Sequence, residues 1–134
     1  MIIDTKGSIL NNEAVEIITI ELTGIGTYGE ATGQYQDKQI NVFGGIPGEK
    51  VIARIIRQNK DQEAEAVVAD VIEPSPHRRS PACGCFGQCS GCQWQHMAYH
   101  HQLELKQDIV RHYLEAAGID TSALRPVEAS PLEF

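Results

Sequence analysis

Four cysteines lie within ten consecutive residues of this 134-residue chain, and they are the side chains whose type and spacing could do chemistry. Cys83, Cys89 and Cys92 follow the pattern C-x5-C-x2-C, and Cys85 is an additional thiol. Glycine and serine separate these cysteines, so the backbone can turn tightly, and nearby amides can donate hydrogen bonds to the sulfur atoms. Iron–sulfur, zinc and disulfide chemistry are the competing interpretations of this pattern.

Zinc is the main alternative to an iron–sulfur cluster. Four thiolates satisfy the ligand count of a tetrahedral site, but zinc sites commonly take two pairs of cysteines from separated knuckles. Only one residue separates Cys83 from Cys85. Cys85, Cys89 and Cys92 also have the C-x3-C-x2-C spacing of radical S-adenosylmethionine enzymes, but Gly91 stands where those enzymes usually carry a bulky residue. The spacing therefore favours an iron–sulfur cluster.

The composition limits where such a site would work. The chain has 18 acidic and 11 basic residues, so its formal net charge is −7. This charge argues against binding nucleic acid through bulk electrostatics, although a local basic surface remains compatible with it. No secretory signal and no membrane-spanning stretch is visible, so we expect a cytoplasmic protein without membrane contact. In that compartment clustered cysteines are metal ligands more often than disulfides.

Hydrophobic alternation and turn residues organise the chain after a loosely held tail at residues 1–14. Five segments rich in β-branched residues are separated by glycine-containing or polar turns. They cover residues 15–22, 28–35, 39–43, 50–57 and 63–72. Short strands at this spacing predict a mainly β fold, a small closed five-stranded antiparallel barrel that folds without the cysteines. The predicted core of this barrel consists of Ile17, Ile20, Leu22, Val42, Val51, Ile55 and Val67.

A proline-rich stretch leads from the barrel into the cysteines, and one helix follows them. Residues 99–117 have helical hydrophobic spacing, and Gly118 stands where a C′ glycine would end the helix. We therefore divide the chain into a tail (1–14), a barrel (15–74), a cysteine segment (75–98) and a C-terminal part that begins with the helix (99–134).

Several of these features together resemble one enzyme family. The strands with Gly24-Ile25-Gly26 and Gly45-Ile46-Pro47-Gly48-Glu49 are similar to a TRAM domain, an OB-like barrel attached to RNA-modifying enzymes. The motifs that follow resemble the N-terminal part of the class I RNA (uracil-5-)-methyltransferases, in the branch that acts mainly on 23S rRNA. These motifs are Ser75-Pro76-His77-Arg78, Pro81, the cysteines, Gln95-His96, Tyr99, Gln102-Leu103 and Lys106.

The resemblance implies that Cys83, Cys89 and Cys92 hold a 4Fe–4S cluster, with a fourth cysteine far downstream in a longer parent enzyme. Cys85 is extra to the family pattern, and we expect it to be dispensable. S-adenosylmethionine is expected to bind in the parent only, because no glycine-rich cofactor-binding turn follows Ala117. We therefore expect an N-terminal fragment without the catalytic domain.

RNA contact is expected from a few basic and aromatic residues. Arg78 and Arg79 lie on the loop between barrel and cysteines, where they could contact phosphates, and Lys38 is a third candidate. Arg54, like most basic residues of the barrel, is expected on a solvated strand face. Aromatic residues that could stack on single-stranded bases, or pack in the core instead, are Tyr28, Tyr35 and Phe43.

The sequence as a whole predicts the RNA-recognition and cluster-binding N-terminal region of an S-adenosylmethionine-dependent 23S rRNA (uracil-5-)-methyltransferase. We expect a monomer that meets a single-stranded or loop region of rRNA. The alternative is a free-standing RNA-binding or chaperone-like TRAM module with a zinc or iron–sulfur staple. A small electron-transfer protein is disfavoured because the ligand set is incomplete.

Overall fold

The computed structural model describes residues 15–58 and 63–133, which form six strands and one helix. The elements are β1 (Ile17–Glu21), β2 (Gly24–Ile25), β3 (Ala31–Tyr35), β4 (Lys38–Phe43), β5 (Lys50–Gln58), β6 (Glu63–Glu73) and α1 (Tyr99–Ala116). The mainly β class with one helix is confirmed. The tail assigned to residues 1–14 lies outside the described residues.

The strands form one mixed sheet in the order β1-β5-β6-β4-β3-β2. All neighbours are antiparallel except β4 and β6, which run parallel because the β5–β6 hairpin returns the chain beside β4. The sheet thus has six strands rather than five, includes one parallel pair, and is not closed into a barrel. Its two edge strands, β1 and β2, are consecutive in the chain and are joined only by Leu22 and Thr23.

The junction between β1 and β2 explains the sixth strand. The Leu22 amide donates to Glu49 O at 2.8 Å, whereas the Thr23 amide donates to Thr32 O at 2.8 Å. Because adjacent residues bond to opposite neighbours, the chain leaves β1 at this point and enters β2, a short strand that lies between the first two predicted segments. The sheet curls so far that a side chain at Gly33 of β3 would collide with the Glu21 carbonyl of β1.

The concave face of the sheet carries the main core. Ile18, Ile20 and Leu22 alternate along the first strand segment and are buried. The prediction that Ile17 belongs to the core is wrong, since its side chain is 62% exposed. Residues an odd number apart on a strand face opposite sides, so Ile17 and Ile20 cannot share one face. Other buried members of this core are Ala31, Ile40, Val42, Val51, Ala53, Ala64 and Ala66.

A second, smaller core joins the cysteine segment and the helix to the sheet. Ile46 follows β4, Met97 ends the cysteine segment, and Leu105 lies in α1; all three are buried together. Ile25 and Trp94 pack against this cluster. The three parts of the described chain therefore share a packed interior.

The helix ends as the sequence predicts. Gly118 has a φ of 72°, its amide donates to Glu115 O, and the Ile119 amide donates to Leu114 O. These two bonds form a Schellman motif, in which glycine supplies the left-handed conformation that ends the helix. The chain then leaves the helix in an irregular stretch that returns along α1, where the Val127 amide donates to the Gln107 side chain.

Candidate metal centre and the surfaces around it

The cysteine loop, residues 83–92, is a succession of tight turns. The Phe86 amide donates to Cys83 O, and the amides of Gln88 and Cys89 both donate to Cys85 O. Gly87 has a φ of 87°, a left-handed conformation that glycine adopts without strain. The predicted role of the small residues, which is to let the backbone turn between thiols, is therefore seen in the geometry.

All four thiols are free and exposed on this loop. One of them already accepts a backbone hydrogen bond, because the Gly91 amide lies 3.4 Å from Cys89 Sγ. Bonds of this kind stabilise thiolates and cluster sulfurs, so the donor set fits an iron–sulfur or zinc group in its chemistry. Within residues 15–58 and 63–133, however, no three Cys, His, Asp or Glu side chains converge into a metal-binding group. Gathering three thiolates round a metal therefore requires the loop to close up.

A buried ion pair anchors the cysteine segment to the sheet. Arg78 Nε donates to Glu49 Oε1 at 2.6 Å and Nη2 to Glu49 Oε2 at 2.7 Å. The same Nη2 donates to Gly44 O at 2.7 Å, and the amides of Ser75 and Ile46 complete the carboxylate's partners. The carboxylate has no solvent exposure, and bidentate arginine pairs of this geometry are strong and orientation-specific.

The electrostatics of this pair favour a charged Glu49. Burial alone would raise the pKa of its carboxyl, but the hydrogen bonds and positive charge of Arg78, with the amides of Ser75 and Ile46, outweigh burial and lower the pKa below 4.5. The interpretation of Arg78 as an RNA contact stays a prediction. What the structure shows is a guanidinium engaged with Glu49 and Gly44.

Gln95 and His96 hold the two sides of the cysteine segment. The Gln95 side chain accepts from the Cys83 amide at 3.1 Å, whereas His96 is buried with Nε2 3.1 Å from Gly45 O. Burial lowers the pKa of His96 below 6.5, so the ring is neutral at pH 7 and carries its proton on Nε2. Gln95 thus fixes the start of the cysteine loop, and His96 attaches the segment to the sheet.

The other two basic residues expected to contact RNA lie far apart. Arg79 is exposed, and its Nη1 lies 3.3 Å from Glu133 Oε2. It directly follows Arg78, whose Nη2 donates to Gly44 O. Lys38 begins β4 at the opposite end from Gly44, about 20 Å away at roughly 3.3 Å per residue. The structure therefore does not gather these residues into one basic patch.

An open groove runs between the convex face of the sheet and the cysteine loop, with a volume of about 750 Å³. Three sheet residues in it lie side by side, because Phe43 of β4 pairs with Val67 of β6, which pairs with Arg54 of β5. Val67, predicted for the core, therefore lies on the outer face. The opposite wall consists of Phe86, Gly87, Gln88, Cys89, Ser90, Cys92 and Gln93.

Sequence reasoning missed this groove. It named Phe43 as a stacking candidate, which is 42% exposed here, but it placed Arg54 among ordinary solvated residues and did not consider Ile56. The available signal was the run of apolar residues on both faces of β5, since a strand with one solvated face usually alternates.

In the part of the chain that the structure describes, no helix is long and apolar enough to cross a membrane.

Comparison with known proteins shows that the chain is similar to part of several RNA methyltransferases. It is 35% identical over 116 residues to an uncharacterized RNA methyltransferase of Caldanaerobacter subterraneus, covering 87% of this chain and 26% of that protein. It is 34% identical over 103 residues to the 23S rRNA (uracil(1939)-C(5))-methyltransferase RlmD of Alkalilimnicola ehrlichii, covering 77% and 23%. A Clostridium tetani relative, also an uncharacterized RNA methyltransferase, is 41% identical over 100 residues, covering 74% and 22%.

The chain spans about a quarter of the length of these curated relatives. No protein-family model matches it. The predicted resemblance to the RNA methyltransferases is confirmed over most of the chain.

Proposed function

Because the chain is related to RNA methyltransferases over most of its length, we propose that it is the RNA-recognition and cluster-binding N-terminal region of a 23S rRNA (uracil-5-)-methyltransferase. The observation that carries this proposal is the similarity to RNA methyltransferases over up to 87% of the chain, one of which is named a 23S rRNA (uracil(1939)-C(5))-methyltransferase. S-adenosylmethionine is the methyl donor that this reaction class uses, and we assign it to the parent enzyme.

The cluster-binding part of the proposal rests on the thiols. Cys83, Cys89 and Cys92 would hold a 4Fe–4S cluster, with the fourth ligand supplied from elsewhere in the parent. The free thiols, the glycine-rich turns and the amide bond to Cys89 Sγ support this assignment. When bound, the cluster would cross-link a loop that has no hydrophobic core of its own. The surrounding residues already hold both ends of that loop, through Gln95 at Cys83 and Trp94 after Cys92.

The RNA-recognition part rests on the exposed groups near that loop. Arg79 and Lys38 are exposed cations that could contact phosphates of an rRNA strand at two separate points. Arg78 contributes by fixing the segment that carries Arg79, since the two are adjacent in the chain and Arg78 is anchored to Glu49. We retain a cytoplasmic monomer acting on rRNA as part of the proposal.

The cluster assignment is tested with single cysteine variants of the full-length protein. After anaerobic reconstitution, Cys89→Ala is expected to lose its iron and its absorbance near roughly 400 nm, because a cluster needs each of its thiolates. Cys85→Ala is the matched control and is expected to retain both. If Cys85→Ala loses iron while Cys83→Ala keeps it, the ligand set is Cys85, Cys89 and Cys92 instead.

The RNA assignment is tested by filter binding of a 23S rRNA fragment to the same proteins. Arg79→Ala is expected to weaken binding and to lower the salt dependence of binding by about one counterion. Unchanged binding and salt dependence in both Arg79→Ala and Lys38→Ala would contradict the assigned phosphate contacts.

A further inference from the structure

The convex face of the sheet exposes several apolar side chains beside the cysteine loop. Ile17, Arg54, Val67 and Phe43 form a row across four neighbouring strands, and Ile56 lies close to it. Solvated faces of antiparallel sheets usually carry polar residues, and contiguous exposed apolar surface marks a site of interaction. The row ends in the groove, where the cysteine loop forms the opposite wall.

The groove also differs from the rest of the chain in charge. The chain as a whole carries a formal net charge of −7, yet the only carboxylate among the described residues that line the groove is Glu30. Glu30 is buried and its carboxylate accepts a hydrogen bond from the Tyr28 amide, so it is not an exposed acid of the groove. Arg54 is a groove cation, and it forms no ion pair with any described residue. An anionic occupant therefore meets a cation and no exposed acid.

The aromatic lining indicates which anion fits. Tyr28 and Phe43 are exposed on the sheet side, and Phe86 extends from the loop side. Nucleobases of a single strand stack on such rings while a nearby cation tracks the backbone. A double helix offers no unstacked bases to these rings. This combination favours single-stranded RNA over duplex.

The two walls of the groove differ in how they depend on the thiols. Cys89 and Cys92 line it, whereas Cys83 and Cys85 do not. A metal group that draws thiolates together must move the loop, and with it the wall formed by residues 86–93. Two ligands that share one deformable element change each other's affinity by the same factor.

We infer that the cysteine loop is one wall of a groove for single-stranded RNA, so that RNA in the groove and the group held by the thiols are energetically coupled. This inference rests on the proposed function, because the RNA class comes from it. It adds the binding surface and the way in which the thiols regulate that surface.

Thiol labelling in the reduced, metal-free chain tests the inference. The probe is a single-stranded RNA of roughly 12 nucleotides, within the site size of comparable folds. Alkylation by iodoacetamide, followed by mass spectrometry, is expected to slow at Cys89 and Cys92 when RNA is present and to proceed unchanged at Cys83 and Cys85. Equal slowing of all four thiols, or equal protection by a duplex of the same sequence, would overturn the inference.

A matched pair of variants tests the coupling directly. In Cys83→Ser/Cys85→Ser a bulky maleimide label falls on Cys89 and Cys92, and in Cys89→Ser/Cys92→Ser it falls on the other two thiols. The first label is expected to weaken RNA binding about fivefold or more, the lower range of ordinary coupling between sites. The second label, on thiols that do not line the groove, is expected to weaken RNA binding less than the first. Equal effects of the two labels would refute the coupling.

An exposed aromatic residue outside the groove supplies the last control. Phe43→Ala is expected to weaken binding by about 5- to 150-fold, the effect of losing one stacked base, while Tyr113→Ala on α1 leaves binding unchanged. If RNA binds with an affinity that changes neither in Phe43→Ala nor with the labels, RNA does not bind in the groove and the proposed function stands. If no RNA binds at all, both fail. Protection of Cys89 and Cys92 that rises with protein concentration without RNA would assign the groove to a second copy.

Discussion

Removing Arg78 should expose how much of the fold depends on one buried carboxylate. In Arg78→Ala, Glu49 keeps the amides of Ser75 and Ile46 but loses both guanidinium bonds, and Gly44 O loses its side-chain donor. Breaking a buried pair by removing one partner typically costs about 3–5 kcal/mol. Glu49 can limit this loss by taking up a proton, which costs about 1.4 kcal/mol for each unit between its ordinary pKa and the pH. With an ordinary value of 4.5, that limit is about 3 kcal/mol at pH 7.

The pH dependence separates this account from a simple packing defect. In the wild-type chain the pKa of Glu49 is lowered, so its stabilising contribution is present above pH 4.5 and is lost as the pH falls through the lowered value. In Arg78→Ala burial is opposed only by the amides of Ser75 and Ile46, so we expect the pKa of Glu49 to rise and the carboxylate to destabilise the variant most at neutral pH. The difference in unfolding free energy between the two proteins should therefore shrink as the pH falls from 7 towards 5.

Urea unfolding followed by the fluorescence of Trp94, the single tryptophan, measures both quantities in the reduced chain. Arg79→Ala is the matched control, because Arg79 is adjacent, exposed and paired only with an exposed glutamate, and such pairs contribute about 1 kcal/mol or less. A loss below about 1 kcal/mol at pH 7 for Arg78→Ala, or a loss that does not change with pH, would refute the reasoning.

Three further variants test separate contacts. Gly33→Ala should destabilise the chain by about 1–3 kcal/mol because its methyl group would collide with the Glu21 carbonyl, whereas Gly84→Ala, which meets no atom within 4 Å, should be nearly neutral by thermal melting. Trp94→Phe should lose about 1 kcal/mol with the 2.6 Å hydrogen bond from Nε1 to Gly29 O, as measured by circular dichroism in urea. Because burial lowers the pKa of His96, wild-type stability should fall as the pH drops below 6.5, and His96→Gln should flatten that slope.

Local signals in the sequence were sufficient for six of the seven described elements, all except β2. Strand periodicity and turn residues predicted the segments that became β1 and β3 to β6, and Gly118 predicted the helix end because glycine is the residue that best suits a left-handed C′ position. The face of each strand was harder to predict. Ile17 and Ile18 are adjacent and equally apolar, and the pairing of β1 with β5, not composition, decides that Ile18 points inward.

The contacts that organise the site join residues far apart in the sequence, so local sequence patterns do not predict them. Glu49 and Arg78 are 29 residues apart, and Trp94 and Gly29 are 65 apart. Each pair depends on where the sheet places its loops, so sequence reasoning interpreted Arg78 by its charge and by its position beside the cysteines. The cysteine spacing, by contrast, is a local signal that sequence reasoning could use, and the metal ligation that it predicts stays a prediction.

These long-range contacts change what we expect of the sheet when the cysteine segment and the helix are removed. Sequence reasoning expects residues 15–73 to fold without the cysteines, but truncation after Pro74 removes Arg78 from the buried Glu49 and strips Met97, Leu105 and Trp94 from Ile46. The unpaired carboxylate contributes a loss of at most about 3 kcal/mol at pH 7, and re-exposing Ile46 adds about 1.5–3 kcal/mol. Together these approach the whole stability of a small domain, typically about 5–15 kcal/mol.

We therefore expect the chain truncated after Pro74 to lack a cooperative thermal transition at pH 7. Glu49→Gln in the truncated chain is the informative partner, because a neutral amide has no charge to desolvate, and it should recover part of the transition. A cooperative transition in the truncated chain without that substitution would show that the main core is sufficient. Arg78 would then serve only to hold the cysteine segment in place. Any stability lost in Arg78→Ala would then have to come from weaker packing in the second core, which contains Ile46 and Met97.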